Sequence, residues 1–231
     1  MSATILVVDD EKSIADLIEV YLKNENYSVL KFYNGRDALH CVENESIDLA
    51  ILDVMLPDET GFSICQKIRE KHIFPVIMLT AKSEEVDKIT GLTLGADDYI
   101  TKPFRPLEMV ARVKAQLRRY TKYNSAESTD EENTIVFSGL VLDKEKHESR
   151  LNEKPLSLTP TEFSILWVLA SNRGRVVSSE ELFRRVWGEK YFTNNNNTVM
   201  VHIRHLREKM NDNADHPKYI KTVWGVGYKI E

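Results

Sequence analysis

Four short apolar runs in the first hundred residues each lead directly into a polar residue. The polar residues at these junctions are Asp9 with Asp10, Asp53, Thr80, and Thr101 with Lys102. Stretches with helical spacing separate the runs, a pattern typical of buried parallel strands. Because the carboxyl ends of such strands meet at the ligand-binding edge of an open α/β sheet, we expect these polar side chains to lie together.

Three of these expected neighbours are carboxylates. Asp9, Asp10 and Asp53 would repel one another at close range unless a hard divalent cation held them, and Mg2+ takes oxygen ligands of this kind. The arrangement suits the acceptance of a phosphoryl group. Taken singly, each residue has an ordinary alternative, since Asp10 can cap the following helix, Asp53 can be a strand-end acid and Lys102 a solvated charge.

Composition indicates a globular chain of two ordinary domains. The 231 residues include 42% hydrophobic and 29% charged side chains, which excludes disordered and fibrous classes. No apolar stretch approaches the ~20 residues needed to span a bilayer, and residues 1–4 lack the basic segment of a signal peptide. We therefore expect a cytoplasmic protein with no membrane partner. Cys41 and Cys65 are expected to be reduced core residues.

The chain changes character near its middle. In residues 1–122 strand and helix alternate five times, which predicts a five-stranded parallel, doubly wound α/β domain. Residues 123–133 are polar and acidic without periodicity, which indicates a linker. The net charge is −4 over 1–122, −4 over 123–133 and +3 over 134–231. The positive third segment hints only weakly at a polyanionic partner.

Residues 134–231 predict a smaller α+β domain. Strand-like segments come first, and capping signatures at Thr159–Glu162 and Ser178–Glu181 then start two helices. A third helix over Asn195–Met210 is followed by a β-hairpin over 219–230. Strands, three helices and a terminal hairpin make a winged helix-turn-helix.

Two stretches carry a resemblance to a known family. With LGADDYITKPFRPLE and the ending KYIKTVWGVGYKI, essentially the whole chain resembles the winged-helix response regulators of two-component systems, the OmpR/PhoB group. The resemblance implies a receiver domain with strand order 2-1-3-4-5, phosphorylation by a sensor histidine kinase, and a homodimer that binds promoter DNA and meets RNA polymerase through residues 189–197. Within the group, the ending is similar to that of regulators of vancomycin resistance, which implies control of glycopeptide-resistance genes.

The resemblance also implies roles for the clustered residues. Asp53 would be the phosphoacceptor, and Asp10, Asp53 and the main-chain carbonyl of Met55 would bind Mg2+, with Asp9 acting through a bound water. The ammonium of Lys102, after which a cis peptide bond is expected, would neutralise phosphoryl charge. Thr80 would bind a phosphoryl oxygen, and the ring of Tyr99 would then turn inward as the switch.

The same resemblance assigns the helix Asn195–Met210 to the major groove. Opposite its buried stripe we expect Asn197, Val201, Arg204 and His205, flanked by Thr198, His202 and Arg207, and the hairpin adds Lys221 and Thr222. Arginine can read guanine and asparagine adenine, while threonine, histidine and arginine can anchor phosphates. An ordinary solvated helix face is the alternative. Relatives carry a basic residue where this chain has Trp224, which leaves open whether the hairpin tip contacts DNA.

Dimerisation in relatives uses charged pairs on the fourth helix, fifth strand and fifth helix. The matching pairs here are Lys88 with Glu108, Asp98 with Arg112, and Asp97 with Arg119. Exposed pairs contribute roughly 0 to 1 kcal/mol each, so their expected role is register and partner choice rather than strength. Ordinary solvated charge is the alternative.

Competing functions remain open at the level of sequence. A phosphohydrolase of the haloacid-dehalogenase type places a second acid two residues after its nucleophile, where this chain has Met55, which cannot transfer a proton. A flavodoxin-like carrier needs a phosphate loop where this chain has Asp9-Asp10-Glu11. A phosphate-independent DNA-binding protein with a vestigial receiver is disfavoured by the complete set of acids and lysine. We therefore expect that the chain is not an enzyme and that it catalyses only its own phosphoryl transfer and dephosphorylation.

Overall fold

The computed structural model describes residues 2–81, 95–122, 133–188 and 196–231, with the backbone alone described at 81, 121–122 and 196–197. Contacts divide the chain into two compact units, residues 1–117 and 118–231. The predicted linker lies almost wholly outside the described residues, so its limits stay a prediction. The helix predicted around Val86, Ile89 and Leu92 lies outside them as well.

The first unit is built on a parallel sheet. Its elements are β1 Thr4–Val8, α1 Lys12–Asn24, β2 Ser28–Phe32, α2 Gly35–Asn44, β3 Leu49–Asp53, α3 Gly61–Lys71, β4 Val76–Ala81, β5 Asp98–Lys102 and α4 Pro106–Lys122, the last of which continues into the second unit. The strand order is β2-β1-β3-β4-β5 with every pair parallel. The predicted doubly wound topology is therefore confirmed.

The central strands are covered on both faces. Residues 5–8 of β1 and 49–52 of β3 have no exposed surface, which explains why they are continuous apolar runs without alternation. The register pairs Val8 with Leu52. The residues that follow these two therefore emerge at the same edge of the sheet.

Both cysteines belong to the first unit, are reduced and are buried, as expected. Cys41 is on α2 and Cys65 on α3. Burial raises the pKa of both thiols, that of Cys65 to about 11. At neutral pH both are therefore protonated core side chains.

The second unit is a winged helix-turn-helix, as predicted. Its elements are β6 Thr134–Phe137, β7 Leu140–Asp143, β8 Glu148–Leu151, β9 Lys154–Pro155, α5 Pro160–Ser171, β10 Val177–Ser178, α6 Ser179–Trp187, α7 Asn196–Met210, β11 Ile220–Val223 and β12 Gly227–Ile230. The first four strands form one antiparallel sheet, and β10-β12-β11 forms a second.

Side-chain caps start two of its helices where the sequence predicted them. Thr159 accepts from the backbone N–H of Glu162, whose carboxylate accepts in return from the N–H of Thr159, so a complete capping box opens α5. The hydroxyl of Ser178 accepts from the N–H of Glu181 at the start of α6. One core joins the three helices with both sheets, and Phe163, Trp187 and Leu206 are among its fully buried members.

None of the helices in the described parts of the chain has both the length and the apolar character that crossing a bilayer requires.

Candidate functional site

The carboxylates of Asp9, Asp10 and Asp53 meet at the carboxyl edge of the first sheet. Each offers an oxygen, and these oxygens lie within 4.8 Å of one another. Asp9 has no exposed surface and Asp53 is 6% exposed, whereas Asp10 is open to solvent. Two of the three acids are therefore buried, and the third is exposed to solvent.

Hydrogen bonds at the start of α1 distinguish the structural roles of Asp9 and Asp10. Glu11, not Asp10, is the N-cap of α1, and its side chain makes no capping hydrogen bond. Asp9 accepts a hydrogen bond from the backbone N–H of Glu11 at 3.0 Å, which holds its carboxylate in place. The capping alternative for Asp10 is thus not what the structure shows, and this carboxylate is free to face the cluster.

Lys102 brings a cation to the same place from the end of β5. Its Nζ lies 2.8 Å from Asp9 Oδ2, 2.9 Å from Asp53 Oδ2 and 3.8 Å from Glu11 Oε1. The peptide bond between Lys102 and Pro103 is cis, as expected. One ammonium group is therefore shared by two buried carboxylates.

The pKa values of the site reflect its burial. Desolvation raises the pKa of Asp53, against the opposing effect of the hydrogen bond from Lys102. Burial alone would lower the pKa of Lys102, but its hydrogen bonds to Asp9 and Asp53 outweigh this and raise it. The lysine is charged at neutral pH, and three acids with one ammonium leave an excess of negative charge for a divalent cation.

This donor set fits Mg2+. Every donor is a carboxylate oxygen, which hard cations prefer, and the exposed side at Asp10 leaves room for the water ligands that Mg2+ retains. Among the described residues this is the one group of three or more potential metal-ligating side chains. His202 and His205 of α7 belong to no such group.

The remaining predicted receiver residues lie on or just after β3, β4 and β5. Thr80 is 3% exposed in β4, one position beyond the pairing of Leu79 with Asp53. Tyr99 is half-buried in β5. Met55 is 70% exposed, and its N–H donates to the carboxylate of Asp53.

Two residues of the site were not predicted from the sequence. A Cβ at Gly61 would lie 2.1 Å from the main-chain oxygen of Asp53, so glycine alone lets α3 begin this close to the end of β3. The carboxylate of Asp58 accepts from the N–H groups of Gly35 and Arg36 at 2.8 and 2.9 Å. These bonds, which also lower the pKa of Asp58, tie the segment after Asp53 to α2. The one available signal was a glycine directly after Thr60 at a helix start.

The solvent-exposed face of α7 differs from the predicted one. Arg204 is exposed and pairs with Glu208 at 2.8 Å, as predicted for a surface position. The expected exposure is wrong for Val201 and His205, which are 3% and 7% exposed. The ring of His205 lies against α5, with Nδ1 3.8 Å from the buried carboxylate of Glu162.

The residues expected to flank that face contact other parts of the second unit. Thr198 and His202 are buried, and the ring of His202 lies 5.6 Å from that of Trp187 on α6. Arg207 donates to residues of β11, one of which is Thr222. Lys221 pairs with Glu231. The side chain of Asn197 lies outside the described part.

The charged residues expected at a dimer surface have partners within one chain. Arg112 lies 3.1 Å from both Asp98 and Glu108. Asp97 has no exposed surface, and its carboxylate accepts from Arg69 at 2.7 Å. Arg119, in the second compact unit, donates to the carbonyl of Val186. Lys88 lies outside the described residues, and pairing between two copies stays a prediction.

A parallel sheet with a clustered acid triad and lysine, in one chain with a winged helix, defines a protein that combines a phosphoacceptor receiver with a DNA-binding module. The comparisons with known proteins agree. Residues 5–114 match the family described as response regulator receiver domain, and residues 153–230 match transcriptional regulatory protein, C terminal.

Individual relatives match over the full length. The chain is 67% identical over 231 residues to "Regulatory protein VanR" of Enterococcus faecium and 58% identical to "Regulatory protein VanRc" of Enterococcus gallinarum, with 100% of each chain covered. Among solved structures, a mutant of RitR has 28% identity and a TM-score of 0.76, and the response regulator DrrB, an OmpR/PhoB homolog of Thermotoga maritima, has 35% identity and a TM-score of 0.52. Each of these two covers 100% of this chain and is itself covered to 99%.

The chain therefore belongs to the OmpR/PhoB family of response regulators, and the resemblance read from its sequence is confirmed. It is a phosphorylation-activated, DNA-binding regulator of transcription in a two-component system rather than a metabolic enzyme. Neither a phosphohydrolase nor a DNA-binding protein with a vestigial receiver is favoured. The residue two positions after Asp53, where the phosphohydrolase would need an acid, is the exposed Met55.

Proposed function

We propose that Asp53 accepts a phosphoryl group from a phosphohistidine of a sensor kinase, with Mg2+ held by Asp10, Asp53 and the carbonyl of Met55. Asp9 would act on the ion through a bound water. The observation that carries this proposal is the ammonium of Lys102 within 2.9 Å of both Asp9 and Asp53, beside the exposed carboxylate of Asp10. No other described acid cluster offers such a combination.

The chemistry follows from the positions of these groups. An oxygen of Asp53 attacks phosphorus, the bond from phosphorus to the imidazole nitrogen breaks, and the imidazole leaves with the electron pair. Mg2+, when bound, neutralises charge on the phosphoryl oxygens. Lys102 exchanges its contact with Asp53 for one with a phosphoryl oxygen. Thr80 donates its hydroxyl to another, and Tyr99 moves inward in response. Attack by water on the same phosphorus reverses the modification, so the chain catalyses only its own phosphorylation and dephosphorylation.

The output is a change in DNA binding. In our proposal residues 1–122 form the receiver, 123–133 the linker and 134–231 the DNA-binding domain, limits within which both family matches fall. Phosphorylation shifts the receiver toward a homodimer that uses the pairs of Lys88 with Glu108, Asp98 with Arg112, and Asp97 with Arg119.

Two such domains then bind adjacent half-sites in promoter DNA. The contacts come from the helix residues Asn197, Thr198, Val201, His202, Arg204 and His205, with Lys221 of the hairpin. Because Thr198, Val201, His202 and His205 are buried, each has to become exposed before it can contact DNA. The regulator acts in the cytoplasm with RNA polymerase, and its similarity to regulators named VanR supports control of glycopeptide-resistance genes.

Phosphorylation can be tested directly by mass. The full chain is incubated with acetyl phosphate and Mg2+, and peptide mass spectrometry locates the modification. We expect one phosphoryl group on Asp53 and none in the Asp53→Asn variant or without Mg2+. Asp16→Asn is the matched control, because Asp16 is an exposed acid of the same domain that pairs with Lys31. A phosphoryl group on another residue, or equal labelling without metal, would contradict the proposal.

A further inference from the structure

The guanidinium of Arg207 faces the hairpin. This side chain projects from the last turn of α7 and is half-buried. Its Nη2 donates to the carbonyl of Ile220 at 2.7 Å and to Oγ1 of Thr222 at 2.9 Å, and its Nε donates to the same carbonyl at 3.3 Å. Two of its three nitrogens are therefore committed to β11.

A second connection between the same two elements lies close by. The carboxylate of Asp212, 5% exposed just beyond α7, accepts from the N–H groups of Lys218, Tyr219 and Ile220. The N–H of Asp212 in turn donates to the carbonyl of Arg207 at 2.8 Å. Asp212 thus fixes where the hairpin starts, and Arg207 holds it again two residues further on, at Thr222.

Two points of attachment define a direction as well as a position. The pairing of β12 with β10 and the bonds to Asp212 hold the base of the hairpin, and the bidentate contact of Arg207 adds a direct link from α7 to β11 at Ile220 and Thr222. The hairpin turn carries Trp224, which is 90% exposed, and α7 carries the exposed Arg204 one turn before Arg207. The angle between helix and hairpin decides whether both can meet one DNA duplex at once.

We propose that Arg207 is a positioning residue, which sets the angle between the recognition helix and the hairpin wing instead of anchoring a phosphate. The inference rests on the proposed DNA-binding role of α7. It reassigns a residue that the sequence alone placed among the phosphate contacts, and it pairs Thr222 with Arg207 rather than with DNA.

Affinity and its salt dependence separate the two roles. Each phosphate contact contributes about 0.9 to the slope of log affinity against log salt. We expect Arg207→Lys, which keeps the charge but loses the bidentate contact, to weaken DNA binding about tenfold with little change in the salt slope. Arg207→Gln should have the same effect on both quantities. Thr222→Val should weaken binding less, and its effect should not add to that of Arg207→Gln because the two remove one interaction.

The measurement uses the full chain and the duplex that it selects from a random-sequence DNA library. Arg204→Gln is the comparison, an exposed arginine of the same helix whose loss should lower the slope by about one contact. Arg150→Gln, an exposed cation on β8, should change neither quantity. Thermal unfolding followed by tryptophan emission checks that each variant is folded.

Wild-type affinity in Arg207→Lys together with a slope lowered by about one contact in Arg207→Gln would overturn the assignment. If the Arg207 variants do not fold, Thr222→Val decides, because unchanged affinity there also overturns it. Failure of the unsubstituted chain to select any sequence would instead remove the proposed DNA-binding role on which the inference rests.

Discussion

The main electrostatic feature of the receiver site is one ammonium group shared by two buried carboxylates. Lys102 lies within 2.9 Å of Asp9 and Asp53, and its contacts span β1, β3 and β5. In the proposed reaction, a negatively charged phosphoryl group on Asp53 would compete with these carboxylates for the same cation. It would then change contacts at the ends of three strands together, so that one covalent modification would act on a whole sheet edge.

At the same scale, His147 makes the stability of the second unit depend on pH. Burial against the ring of Phe163, with ring centroids 4.1 Å apart, lowers the pKa of His147 from 6.5 to about 4. Because the unfolded chain binds this proton more readily, the stability is complete above pH 6.5. It falls as pH drops toward 4, by roughly 2 to 3 kcal/mol in total.

The measurement is urea unfolding at several pH values between 7.5 and 4.5. All three tryptophans lie in the second unit, so their emission follows that unit alone. We expect His147→Phe to flatten the pH dependence, and His216→Gln, at an exposed histidine, to leave it as in the unsubstituted chain. Equal pH dependence in all three proteins would show that His147 does not titrate as described.

At the scale of elements, the close approach of α3 to the end of β3 holds Asp53, the proposed phosphoacceptor, in place. We expect Gly61→Ala to destabilise the receiver by about 1–3 kcal/mol, because its Cβ would overlap the main-chain oxygen of Asp53 and neither backbone can yield cheaply. The same shift should slow the phosphorylation of Asp53. Ser63→Ala, two residues further along α3, is the matched control.

Receiver stability can be read by hydrogen exchange of the amides in β3, with phosphorylation measured on the same samples. Unchanged protection in β3 together with a normal phosphorylation rate would mean that the backbone accommodates the methyl group.

Elements with strong local signals were predictable and elements formed only by pairing were not. Apolar runs marked β1, β3 and β4, and capping signatures marked α5 and α6. The strands β8, β9 and β10 were missed, because β8 reads Glu148-Ser149-Arg150-Leu151 and the other two have two residues each. Such strands exist through hydrogen bonds to their neighbours, which no local pattern encodes.

The same distinction between local signals and long-range contacts applies to the candidate site residues. Strand-end position predicted Asp9, Asp10, Asp53 and Lys102, because topology alone brings those ends together. Helical periodicity predicted that His205 would face outward, but it carries no information about Glu162, which lies 43 positions earlier in the sequence and next to the buried ring. Contacts between distant parts of a chain decide side-chain exposure, and no window of sequence contains both partners.

At the scale of the whole molecule, the proposed function requires that phosphorylation of Asp53 alters DNA binding by the second unit. We expect acetyl phosphate with Mg2+ to increase the occupancy of the selected duplex at low concentrations of the full chain, where dimerisation limits binding. Asp53→Asn should abolish this stimulation without lowering the occupancy at saturating protein concentration. Footprinting over a protein titration, with Asp16→Asn as the control, measures both.

Stimulation that persists in Asp53→Asn would separate DNA binding from this aspartate. Equal affinity with and without the phosphodonor in the unsubstituted chain would contradict activation through dimerisation.

The two halves of the chain happen to contain different intrinsic probes. Cys41 and Cys65 are confined to the first unit, and their buried, protonated thiols are shielded from alkylating reagents until that unit opens. Trp167, Trp187 and Trp224 belong to the second. Thiol labelling and indole emission, followed in one tube without any engineered label, therefore time the opening of each half separately.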